Sequence, residues 1–372
     1  MSKKILFLSV ALLAVILLSA CSGAPVSGNT WPGLAASDDA AYLANGTFVY
    51  AVNLQNGTEL WHYPAERDSG LLFFATPYVT QDGLVIVGSS GSDYSLVALN
   101  PAVMNTETNS PTEAWRFTGA QDTWVAAPLA IDNRLFAPNS DGNLYVFDLS
   151  DGQTDKQPIK VVELEGDLWS QPVTDGQSIF LSSLEHSVFA VDKDSYEVIW
   201  REDLGSAITS PPVLATDGYL YVGSFASQLE KFDPASGDHQ SVGETKDWVW
   251  GTPGSVEDNL YFGDLSGNFY AYNLEQAAYD WESVIPGNES IKAITASPLA
   301  LNEILLVATE AGVIYEVDQD GDSRLWTQPG GKIYTSPLAA GDLVLVSPMN
   351  ADAILYAYDV NGRQAWSFKP EN

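Results

Sequence analysis

From residue 31 onward, apolar and polar side chains alternate with a period of two in short runs, as half-buried strands do. One run recurs eight times and closes on Asn or Asp. FVYAVN ends at Asn53, SLVALN at Asn100, LYVFD at Asp148 and VFAVD at Asp192. LEKFD ends at Asp233, FYAYN at Asn273, IYEVD at Asp318 and LYAYD at Asp359. Ahead of each run stands a small residue, Gln or Trp followed by proline, from Trp31-Pro32 to Ser336-Pro337. The proline spacings are 45, 51, 44, 39, 42, 45 and 39, which makes the markers a repeat and not a coincidence. After most runs comes a tryptophan: Trp61, Trp115, Trp200, Trp281, Trp326 and Trp366. The repeats around Val162 and Val242 lack it.

Each repeat reads as four short strands. In the last one, Tyr334–Ala339 is expected to form strand one and Asp342–Ser347 strand two. Ala353–Tyr358 follows as strand three, Asp359-Val360-Asn361-Gly362 as a hairpin turn, and Gln364–Lys369 as strand four. Eight repeats of roughly 43 residues match the period of propeller blades. Helical stripes are absent, so a helical solenoid is excluded. The fold expected is all-β, an eight-bladed β-propeller of four-stranded antiparallel blades over residues 31–372. Every repeat runs from strand one to strand four, with no clear strand exchange between the termini, and the sequence leaves open how the ring is closed.

The repeats carry a resemblance. Ala51-Val52-Asn53-Leu54-Gln55-Asn56-Gly57-Thr58-Glu59-Leu60-Trp61 is similar to the tryptophan-docking motif of the PQQ-like (quinoprotein-like) propeller family, A-x-D-x-x-x-G-x-x-x-W. Ala357-Tyr358-Asp359, Gly362 and Trp366 form a shortened version, as do Val317-Asp318, Gly321 and Trp326. The resemblance implies that the six tryptophans dock between blades, and the turn glycine suits the positive φ of the hairpin. Two branches of that family differ in function. Quinoprotein dehydrogenases hold pyrroloquinoline quinone and calcium in the channel. The outer-membrane assembly lipoproteins (BamB) share the blades and act as protein scaffolds. The chain resembles the second branch more, in its length, eight blades and N-terminal segment. It has one cysteine, so the vicinal pair and the C-x-x-C-H haem motif of the enzymes are missing.

The N-terminus reads as an address. Lys3 and Lys4 precede an apolar stretch from Ile5 to Leu18, too short for a comfortable membrane span and right for a signal core. Leu18-Ser19-Ala20-Cys21 resembles the lipobox of bacterial lipoproteins, which makes Cys21 the expected lipidation site. Residues 1–20 are then a signal peptide, and 21–30 a small, polar tether.

Charge narrows the function classes. With 48 acids against 16 bases the net charge is −32, and the loss of Lys3 and Lys4 brings the mature chain to −34. Such a field repels phosphate backbones, so nucleic acid is not an expected partner. No nucleophile elbow, phosphate loop or zinc-protease motif occurs. Asp318-Gln319-Asp320-Gly321-Asp322 approaches a calcium loop, but its glycine falls early, at position four instead of six, and position twelve is Pro329. His62, His186 and His239 are expected at the surface or between blades. Neither quinone nor calcium is expected as cofactor.

One constellation remains. Aromatic side chains stand close before the repeat prolines, and that part of a blade approaches the channel. Phe74, Trp124, Trp169, Trp248, Trp250 and Tyr334 are the candidates for a ligand-binding ring at the channel mouth. The insertions Pro101–Pro111 and Asp151–Pro158 are candidate recognition loops. The reading is an exported, membrane-anchored scaffold for envelope proteins, with an outer-membrane assembly complex among them, monomeric and without catalysis. The alternatives are a quinone-dependent dehydrogenase and a carbohydrate or peptide receptor.

Overall fold

The computed structural model describes residues 31–286 and 293–371. The signal peptide, the tether and Cys21 lie outside the described residues. Residues from Trp31 onward form one compact unit of eight four-stranded antiparallel sheets, arranged in a ring. The blades span residues 33–63, 78–117, 129–163, 173–203, 213–244, 254–284, 299–327 and 338–368. Each sheet consists of four strands consecutive in sequence, the first and last blades included.

Blade eight shows how the local sequence sets the strands. They are Leu338–Ala340, Leu343–Val346, Leu355–Asp359 and Gln364–Phe368. Strand one is shorter than expected and starts after Pro337, not at Tyr334. Proline has no N–H for the ladder, and pairing begins at Leu338↔Leu345. The freed Tyr334–Pro337 segment lines the channel instead.

The apolar core is divided among the seams between blades. Eight buried clusters occur, and each draws on two neighbouring blades. Period-two alternation does this directly. In blade one, Tyr42, Ala44, Val49 and Ala51 face blade two, while Ala41, Leu43, Tyr50 and Val52 face blade eight. Middle strands therefore bury both faces, as in Ser187–Asp192, and only the outer strands alternate with solvent, as in Ala278–Val284.

The docking motif acts across these seams. Its alanine lies opposite the tryptophan on the neighbouring strand: Ala51↔Trp61, Ala190↔Trp200, Ala271↔Trp281 and Ala357↔Trp366. A register shift beside each of these pairs makes two residues of strand four oppose one of strand three. Four indoles then donate to the carbonyl that follows the Asx residue of the next blade. Trp200 Nε1 reaches Pro234 O at 2.8 Å and Trp281 Nε1 reaches Gln319 O at 2.8 Å. Trp326 Nε1 reaches Val360 O at 3.3 Å, and Trp366 Nε1 reaches Leu54 O at 2.8 Å. The last bond joins blade eight to blade one. The turn glycine has a second duty here. A Cβ on Gly57 would stand 2.6 Å from Trp366 Cε3, and one on Gly237 would stand 2.8 Å from Trp200 Cδ2.

The two remaining tryptophans meet the insertions. The long hairpin Leu96–Asn105 and Ser110–Phe117 replaces the tight turn above Trp61 and folds back on blade one. Asn109 donates to Leu60 O at 3.0 Å and Ser110 to His62 O at 2.7 Å. The second insertion runs along the outer strand of blade two, through Arg116 N to Thr154 O at 2.9 Å and Lys156 N to Arg116 O at 2.8 Å. It buries Lys156 against Asp151, 5.6 Å from the Trp115 ring. Trp115 Nε1 is buried without an acceptor. Both insertions brace neighbouring blades.

Candidate functional site at the channel mouth

The segment before each repeat proline leaves strand pairing and turns toward the axis. Its hydroxyls lace consecutive blades together. Thr209 Oγ1 donates to Trp250 O at 2.9 Å, and Ser297 Oγ accepts from Thr252 N at 3.1 Å. Ser336 Oγ accepts from Ser297 N at 2.9 Å, and Thr335 donates to Pro32 O, again joining blade eight to blade one. At Thr209, Ser297, Thr335 and Ser336 the small polar side chains ahead of the prolines satisfy backbone groups that the inward turn leaves unpaired.

These segments enclose a cavity of about 290 Å3. Trp31 stands among its aromatics. Its ring is 5.9 Å from Trp169 and 6.4 Å from Trp250, both edge-on, and 6.3 Å from Tyr334 in a tilted contact. These are the separations of favourable aromatic pairs. Trp169 Nε1 donates to Ser140 Oγ at 3.1 Å. Tyr334 donates to Glu310 Oε1 at 2.7 Å. Burial and that bond push the Tyr334 phenol above its ordinary value, and the Lys332 ammonium holds the Glu310 carboxyl below the usual range.

Of the six expected aromatics, Trp169, Trp250 and Tyr334 line the cavity together. The other three go elsewhere. Trp124 is 1% exposed in the seam of blades two and three, packed on Phe117 and Tyr145, with Nε1 donating to Tyr94 O at 2.7 Å. Trp248 is 47% exposed and stacks on Phe225 at 4.7 Å and 13°. Phe74 is half-buried and its carbonyl crowds Gly33, outside the cavity lining. Phase explains two of these. Trp169, Trp250 and Tyr334 stand three residues before the proline, whereas Trp124 stands four and Trp248 five before it. Trp31, directly beside its proline, was not among the expected ring members; its only signal was the repeat marker itself.

The cavity lining contains no charged residue. Calcium takes six to eight oxygen ligands, carboxylates prominent among them, so this lining does not fit a quinone–calcium pair. Among the described residues no three His, Cys, Asp or Glu side chains cluster as metal ligands. Asp318 is a turn former: its Oδ1 accepts from Asp320 N at 3.1 Å and Asp322 N at 2.9 Å. His239 stacks on Phe232 at 5.0 Å, and His62 packs edge-on against Phe48 at 5.3 Å.

Eight laced blades with docked tryptophans define a PQQ-like propeller. The chain belongs to the family described as outer membrane protein assembly factor BamB, whose model matches residues 44–155 and 155–368. Among solved structures it is similar to BamB from Moraxella catarrhalis, at 16% identity and a TM-score of 0.65, over 94% of this chain and 97% of that one. It is also similar to the computationally designed Ika8 protein, at 13% identity and a TM-score of 0.67, over 91% and 98% of the two chains. At these identities the likeness concerns the fold alone, and a shared fold does not by itself fix function. No curated protein matches the chain.

Proposed function

We propose that this chain is a lipid-anchored, extracytoplasmic scaffold that binds other envelope proteins and performs no chemistry of its own. The observation that carries this reading is the channel mouth, whose lining is uncharged and among whose aromatics the chain's own Trp31 stands. Propeller enzymes of this family place cofactor and substrate there, and here the lining offers neither anionic ligands nor an open aromatic ring. Membership in a family described as an outer-membrane assembly factor points the same way, with an outer-membrane assembly complex as the partner.

Binding then falls to exposed side chains outside that cavity. Trp248 is the tryptophan most open to solvent there, and Phe225 holds its ring rigid. Rigid, exposed tryptophans are the commonest anchors of protein interfaces. Crosslinking in the native membrane followed by mass spectrometry is expected to capture envelope proteins on the wild-type chain. Trp248→Ala should lower partner affinity about 30-fold, the equivalent of ~2 kcal/mol at one hot spot, with thermal unfolding unchanged. Substrate-dependent dye reduction on adding quinone and calcium would overturn the scaffold reading.

A further inference from the structure

In a chain with three acids for every base, a cation should find a carboxylate nearby. Most do. Among the described residues, only Arg67, Lys160 and Lys369 of the lysines and arginines have no carboxylate partner within 4.0 Å. Two of these three, Arg67 and Lys369, line one groove of about 930 Å3. The groove lies at the seam of blades one and eight. Arg67 follows the outer strand of blade one, Glu59–Tyr63, and Lys369 follows that of blade eight, Gln364–Phe368.

The groove also carries aromatic side chains. Tyr50 meets Phe368 edge-on at 5.4 Å and Phe48 at 5.7 Å, and Phe48 is only half-buried. The groove has two acids of its own. Glu59 is engaged by His62, whose Nδ1 lies 2.7 Å from Glu59 Oε1. Glu371 is exposed beyond Lys369.

We propose that this seam groove binds a small aromatic carboxylate. The ligand's ring packs on Phe48, Tyr50 and Phe368, and its carboxylate meets the Arg67 guanidinium and the Lys369 ammonium. Guanidinium and carboxylate match as a two-bond fork, which gives the site direction as well as charge. The chain's other acids do not prevent this, because charges beyond the Debye length of about 8 Å at physiological salt are largely screened. The groove draws on both ends of the ring, so its occupant binds only the closed propeller and stabilises it by mass action. This site is independent of the scaffold reading.

The test is a calorimetric and NMR titration of the full chain with 3-phenylpropionate at about 0.15 M salt. Two controls separate the ligand's parts: 3-phenylpropanamide keeps the ring without the charge, and acetate keeps the charge without the ring. Saturable binding of the phenylpropionate is expected, tighter than acetate because acetate lacks the ring, and at least about ten-fold tighter than the amide, the margin of one charge-assisted contact. The double variant Arg67→Gln, Lys369→Gln should lose that margin, and Glu371→Gln should tighten binding. These side chains are exposed, so the variants should melt like wild type. Equal affinity for acid and amide, no saturation, or a double variant that binds like wild type would overturn the proposal.

Discussion

Replacing Trp366 with alanine is expected to lower the unfolding free energy by about 3–5 kcal/mol, the range for deleting a buried aromatic. The indole is 8% exposed, lies under the turn at Gly57 and donates to Leu54 O at 2.8 Å. It therefore holds together two blades at opposite ends of the chain. Chemical denaturation is the measurement. Gly57→Ala should also destabilise, because φ is +72° there and the new Cβ would meet the Trp366 ring. In the double variant the clash is gone and only the backbone strain remains, so the two losses should not add. Trp250→Ala, at a half-buried ring in the channel wall, should cost less. A loss below ~1 kcal/mol at Trp366, smaller than a buried aromatic deletion gives, would mean that the seam is held by other contacts.

The second large effect concerns attachment. In the native host, Cys21→Ser is expected to move the protein from the membrane fraction to the soluble one, or to leave an uncleaved precursor. Cys21 follows Leu18-Ser19-Ala20 directly after a stretch of signal length, and it is the only thiol. Acyl chains contribute about 0.8 kcal/mol per buried methylene, so two or three anchor stably. The propeller should add little, since a chain of net charge −32, or −34 once cut before Cys21, is repelled by anionic headgroups. The mass of the mature N-terminal peptide decides the matter. An unmodified peptide that begins elsewhere would remove the anchor from the proposal.

The ring and its eight blades were legible in the sequence because the same three markers return in register. Proline, Asx and tryptophan each report a local event: the end of pairing, a turn, and a docked ring. What could not be read concerns neighbours. Nothing in Gly57 itself says that Trp366, some 300 residues on, will press against its Cα. The insertions at 101–111 and 151–158 suggested recognition, yet both hydrogen-bond to the preceding blade. The candidate ring was half legible. A one- or two-residue change of phase before the proline sends Trp124 into a seam and Trp248 to the surface. Phe74 has the right phase and still misses the cavity. Arg67 and Lys369 carried no signal in sequence, because which cations lack a counter-ion among the described residues is a property of the folded surface.

Every sheet is built from four consecutive strands and no seam shares a strand, so none of the eight seams is closed by strand exchange. Joining Phe368 to Trp31 by a linker and opening the chain between any two blades would create a permuted molecule with the same sheets and the same interfaces. This ring has no privileged starting point: its termini are a choice of where to cut a circle, and a lineage could gain or lose whole blades by duplication or deletion without first inventing a new way to close.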